Sequence, residues 1–210
     1  KAIKYINEFF ESGNDDRRIR DSLAWSYFSL GEYDNCLKQL LCIISTWPDM
    51  TLETECKTYC NIGVVYEQKK DYGKAERYYS LCLEKGANAP VYLRNLANLY
   101  IKMNKGRNAK SILDNGLEIH KDNPDLLESL GKYYFHIQNF KEAEETLFKA
   151  INLKPDLTDA YACLSVIEMD VFNKAEKAQE TLLRGLIYNP KNSSLLNNMA
   201  YNYLLLNDTK

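Results

Sequence analysis

Gly63, Ala97 and Gly131 stand 34 residues apart, and Ser165 follows at the same step. Two further columns keep pace with them: Tyr66, Tyr100 and Tyr134, and Ala75, Ala109 and Ala143. A chain with one fixed period is built from copies of a single supersecondary unit, each burying its apolar face on the next. The columns extend outward with slips. Ala24, Tyr27 and Gly31 open an earlier copy whose small residue precedes Gly63 by 39, which places an insertion of about five residues in the PDMTLET segment. After Ser165 the tyrosine column holds Glu168, and the segment AQETLLRGL, from Ala178, matches AKSILDNGL, from Ala109, with one extra residue before it. A register through Phe172 and Ala175 is the alternative for that copy. Ala200 and Tyr203 restore the columns.

Inside a copy the apolar residues recur at helical spacing. Leu126, Leu127, Leu130, Tyr133, Tyr134 and Ile137 form one stripe, and Ala143, Leu147, Ala150 and Ile151 form another. Each copy therefore reads as two amphipathic helices joined by a short turn, such as Gln138–Asn139. All five prolines, at positions 48, 90, 124, 155 and 190, fall between copies, where no helix interior has to be continued. Gly131 and Ala143 are small so that the two helices of a copy can approach closely.

This pattern resembles the tetratricopeptide repeat, a 34-residue helix–turn–helix with small, tyrosine, alanine and proline columns. The resemblance implies an all-α fold, a right-handed superhelical solenoid of antiparallel helix pairs. It divides residues 1–210 into the second half of a truncated repeat (1–16), full repeats at 17–50, 56–89, 90–123, 124–157 and 158–192, and the first helix of a further repeat (193–210). Half-repeats at both ends and the lack of an initiator methionine suggest that the natural protein continues. Leu195, Leu196, Met199, Tyr203 and Leu206 at one end, and Ile3, Ile6, Phe9 and Phe10 at the other, lack a covering helix, so self-association through the ends is a further expectation.

Charge and composition narrow the partners. The 27 basic and 29 acidic residues leave a formal charge of −2, which gives no electrostatic reason to expect nucleic acid. No apolar run approaches the ~20 residues that span a bilayer, so membrane insertion is not expected, and KAIKYINEFFES is not a signal peptide. The six cysteines show no CxxC pair and read as reduced thiols of a cytoplasmic protein. An exported protein whose signal was removed is the runner-up, with sequons at Asn192 and Asn207. Cys56 and Cys60 lie one helical turn apart and could share a metal. However, Cys36 and Cys82 occupy small-residue columns, which favours cysteine as a small buried hydrophobe. The two histidines, His120 and His136, belong to no catalytic motif. No enzyme activity and no cofactor are expected.

Members of the family commonly hold an extended peptide in a concave groove lined by the first helix of each repeat. Two residues before the small column, this implies Ser22, Asn61, Asn95, Ser129, Cys163 and Asn198 as lining positions. One residue after it come Trp25, Val64, Asn98, Lys132, Val166 and Tyr201. Asparagine can donate to and accept from a peptide backbone at once. Asn61, Arg94, Asn95, Asn98, Lys102, Ser129, Lys132, His136 and Asn198 are thus the expected peptide-binding residues. Arg94, Asn95, Asn98 and Lys102 on one helix, with Lys132 and His136 on the next, are similar to part of the lysine–asparagine clamp by which chaperone-associated members hold an acidic C-terminus. The following helix departs from it, with Asp159 and Cys163 where the clamp has basic residues. The implied function is a non-catalytic adaptor or scaffold that binds a peptide or partner protein. The alternatives are a regulatory or targeting segment of a larger enzyme, and a self-assembling scaffold.

Overall fold

The structure, a computed structural model, describes residues 2–208. Every regular element among them is helical: α1 (Ala2–Glu11), α2 (Arg17–Ser29), α3 (Tyr33–Thr46), α4 (Leu52–Gln68), α5 (Tyr72–Glu84), α6 (Pro90–Lys102), α7 (Gly106–Ile119), α8 (Pro124–His136), α9 (Phe140–Leu153), α10 (Thr158–Val166), a π-helical turn (Ile167–Val171), α11 (Ala175–Tyr188) and α12 (Ser193–Asp208). The chain divides into two compact units, residues 1–99 and 100–210, with the division inside α6.

In unit 1, α2 packs on α3 and α4 on α5 as antiparallel pairs, and α3 joins the pairs by packing on α4. Ala24, Cys36, Leu40, Ile43, Ile62 and Val65 form one core cluster there. In unit 2, α8 pairs with α9 and α10 with α11, while α12 lies against both α10 and α11. Leu147, Ala150, Ile151, Tyr161, Leu164 and Leu182 anchor its core. The small columns work by close approach. A Cβ on Gly131 would lie 2.5 Å from Leu147 Cγ, and one on Gly63 would lie 2.4 Å from Tyr79 Cε1.

The turn inside each pair follows one recipe. The second residue after the first helix takes a left-handed backbone: Gly31 (φ 75°), Lys70 (60°), Asn104 (56°), Gln138 (61°) and Asn173 (52°). The next N–H then reaches back to the tyrosine-column carbonyl: Asp71 to Tyr66 (2.9 Å), Lys105 to Tyr100 (2.8 Å) and Asn139 to Tyr134 (2.9 Å). These are the bonds that satisfy the orphan carbonyls of a helix C-terminus. The turn between α6 and α7 closes at Lys105, because Gly106 is already the first residue of α7.

The extra residue between Ser165 and Ala178 has a definite place. It is taken up by the π-helical turn, and the closing bond there runs from Lys174 N–H to the carbonyl of Glu168, at 2.7 Å. The acceptor column is kept while the donor slips by one. Glu168 itself is fully buried. Lys177 Nζ lies 3.1 Å from its Oε1 and also bonds Glu144 at 2.6 Å, so a charge pair stands in the column that other copies fill with tyrosine.

Among the unpaired apolar residues expected at the chain ends, Leu195 and Met199 are buried within unit 2, whereas Leu196 and Tyr203 are exposed. Phe10 is partly covered, with the Arg20 guanidinium 4.4 Å above its ring. The Ile3 side chain lies outside the described ones. Among the described residues, no helix is long and apolar enough to cross a membrane.

Candidate groove of first helices

The expected lining residues fall on the first helices of the pairs, and the two units treat them differently. In unit 1, Asn61 is half-buried on α4, and its Nδ2 is shut off from solvent without a hydrogen-bond partner among the described residues. It borders a small apolar pocket walled by Ala24, Trp25, Phe28, Leu40 and Val65. Trp25 packs edge-on against Phe28 (centroids 5.3 Å apart) and keeps 41% of its surface exposed. On α6, Asn98 presents the complementary fault, an Oδ1 that is buried and unpartnered among the described residues. Arg94 and Asn95 sit half-buried on the same helix. A buried amide atom without a partner costs roughly 1–3 kcal/mol, so a fold seldom keeps two without a use for them.

In unit 2 the expected residues bond to the protein itself. Ser129 is fully buried and donates to the Asp125 carbonyl at 3.2 Å. Lys132 Nζ is 2.7 Å from Asp159 Oδ2 and 3.8 Å from Glu128 Oε1, an arrangement of one cation between two acids. His136 Nε2 pairs with Asn104 Oδ1 at 2.9 Å. Asn198 Nδ2 donates to the Ala162 carbonyl at 3.2 Å and to Ser165 Oγ at 3.0 Å, tying α12 to α10. Lys102 is exposed at the end of α6. Cys163 is held as a thiol, with burial pushing it up to about 11 and the two acids near Lys132 acting in the same direction.

Sequence reasoning did not anticipate Asn202. This α12 residue is fully buried and neither of its amide atoms has a partner among the described residues. A partial signal was present, since the same column holds the buried apolar Val65, Leu99 and Ile167 beside the half-buried Ser26 and Tyr133. The cysteines of unit 1 fill space. Cys36, Cys56 and Cys82 are 2%, 0% and 0% exposed, and burial first of all holds Cys36 and Cys56 up at about 11 and about 12.

Residues 57–84 and 124–157 match the family model of the tetratricopeptide repeat. The anaphase-promoting complex subunit CDC16 of Saccharomyces cerevisiae is 27% identical over 158 residues, which is 71% of this chain and 17% of the yeast protein. The chain therefore spans about a sixth of that relative's length. A thermophilic TPR protein of Thermus thermophilus superposes with a TM-score of 0.76 at 15% identity, over 90% of this chain and 100% of its own. A chain of the APC/C hetero-tetramer Cut9–Hcn1 gives 0.74 at 12% identity, over 97% of this chain and 39% of its own. YrrB, described as a TPR protein with an unusual peptide-binding site, gives 0.53 at 18% identity, over 91% and 96%. At these identities the structural likeness speaks for the fold.

Proposed function

We propose that this chain, a tetratricopeptide-repeat protein, is a non-catalytic binding module, an adaptor or scaffold that takes an extended segment of a partner protein along the first helices of its repeats. The observation that carries the reading is the pair of orphaned amide atoms in unit 1. Asn61 Nδ2 is a donor suited to a peptide carbonyl, and Asn98 Oδ1 is an acceptor suited to a peptide N–H. Arg94 and Asn95 flank them on α6, and Trp25 offers an aromatic surface. Lys102, Lys132 and His136 are the unit 2 residues of the same reading, whereas Ser129, fully buried, and Asn198, bonded to α10, support the helices that carry them. Because Glu128 and Asp159 outnumber the single charge of Lys132, the segment bound there is neutral or basic, unlike the acidic tails held by the chaperone-associated clamp.

A second reading is favoured by the comparisons. The CDC16 match and the likeness to a chain of the Cut9–Hcn1 assembly support the chain as part of a longer subunit that scaffolds a multiprotein complex. The two readings are compatible, since a scaffold must also grip its neighbours.

The test is a selection of short linear peptides displayed on phage, followed by calorimetry with the best binder. Asn61→Ala and Asn98→Ala should each weaken binding by about 1–3 kcal/mol while leaving the melting temperature equal or higher. Wild-type affinity in both variants would move the site off these helices.

A further inference from the structure

In unit 1, two thiols from different helices of one pair face each other. Cys60 on α4 and Cys82 on α5 bring their sulfurs to 3.8 Å. Cys82 Sγ also has the Cys56 carbonyl at 3.4 Å and the Tyr78 carbonyl at 3.9 Å as acceptors within its reach. We propose that Cys60 and Cys82 are an oxidisable dithiol, closed by hydroperoxides into a disulfide that staples α4 to α5.

A disulfide has its sulfurs ~2.05 Å apart, so the pair must close by less than about 2 Å, within reach of side-chain rotation. Cys60 retains 5% of its surface and Cys82 none, which makes Cys60 the entry thiol. Its sulfur takes one oxygen from hydrogen peroxide, giving a sulfenic acid and one water. Cys82 sulfur then attacks Cys60 sulfur, the S–O bond breaks, and the hydroxide leaves as a second water with the Cys82 proton. Two thiols and one peroxide become one disulfide and two waters; the sulfurs lose two electrons and the peroxide gains them.

Burial steers the outcome. A disulfide is neutral and suits the apolar space between the helices, whereas a sulfinate would bury a charge without a partner. Burial also sets the pace. The Cys82 thiol, hydrogen-bonded to its neighbour and desolvated, is held well above the ordinary thiol range, so the reaction waits on local opening of the pair. The device answers sustained oxidation and ignores brief pulses.

The experiment uses the full reduced chain, treated with hydrogen peroxide, blocked with N-ethylmaleimide under denaturing conditions and digested with trypsin. Cleavage after Lys38, Lys57, Lys69, Arg77 and Lys85 puts Cys60 in peptide 58–69, Cys82 in 78–85, and both Cys56 and the more accessible Cys42 in 39–57. The expected product is 58–69 joined to 78–85, about 2 Da lighter than the two free peptides, together with a rise in melting temperature that a reductant reverses. Cys82→Ser should abolish both. Full alkylation of Cys60 and Cys82 after Cys42 has been oxidised would overturn the proposal. So would linkage of 39–57 to 78–85, or an unchanged melting shift in Cys82→Ser. If that variant does not fold, the wild-type peptide map decides alone.

Discussion

Gly63 and Tyr79 make the sharpest test of how the small column works. In three other copies the matching position is leucine, at Leu40, Leu147 and Leu182; this one places a tyrosine. An alanine at position 63 would set its Cβ 2.4 Å from Tyr79 Cε1 and 2.6 Å from Cδ1. The ring has nowhere to go. It is 1% exposed, and its hydroxyl donates to Glu67 Oε2 at 3.0 Å. Overpacking a tight site costs about 1–3 kcal/mol, and weakening the bond to a carboxylate adds about 1 kcal/mol. Alanine returns about 1 kcal/mol of helix propensity. Gly63→Ala should therefore destabilise by about 1–3 kcal/mol, a fall of roughly 2–4 °C per kcal/mol in a chain of this size, read by calorimetry or circular dichroism. The double variant Gly63→Ala/Tyr79→Leu rebuilds the Ala24–Leu40 pairing of the preceding copy and should recover most of the loss. A Gly63→Ala protein that melts at or above the parent temperature, or a double variant no better than the single one, would refute the reasoning.

Two further expectations follow from the turns and the buried aromatics. Lys70 and Gln138 hold the left-handed backbone that Gly31 holds in its own copy, so Lys70→Gly and Gln138→Gly should each stabilise by about 1 kcal/mol, measured by urea titration; a loss of stability in both would show that their side chains matter more than their backbone. Burial, helped by the Glu55 bond, raises Tyr59 from 10.0 to about 12, and burial raises Tyr92 to about 12 and Cys56 from 9.0 to about 12. In each case the unfolded chain releases its proton first, so stability should hold below pH 9.0 and fall as pH rises to 12. Tyrosinate absorbance should appear together with loss of helix; ionisation of Tyr59 and Tyr92 near 10 in a folded protein would contradict this.

Much of this fold could be read from the columns, because a 34-residue repeat is stated several times over. The tyrosine, alanine and small positions located both helices of each pair, and the extra residue before Ala178 was visible as a slip. Its resolution into a π-helical turn was not, since spacing counts residues and cannot say which hydrogen bonds absorb the surplus. The candidate site was legible as positions only. Asn61 and Asn198 share a column, yet one has an idle donor and the other bonds two groups of α10. That difference depends on neighbouring side chains and carbonyls that no column records. The Cys60–Cys82 approach was missed because the two lie 22 residues apart on helices that meet only after folding.

The π-helical turn has a consequence for how such an array can change over time. In an α-helix each residue advances the face by about 100°, so one surplus residue would turn everything after it out of phase. Between Ile167 and Val171 the surplus is spent locally, and Lys174 still closes on Glu168. The turn works like an intercalary day in a calendar, and the copies beyond it keep their dates. A repeat protein with such a place for odd residues can tolerate insertions without abandoning its neighbours, and the unusual turn marks where this one has done so.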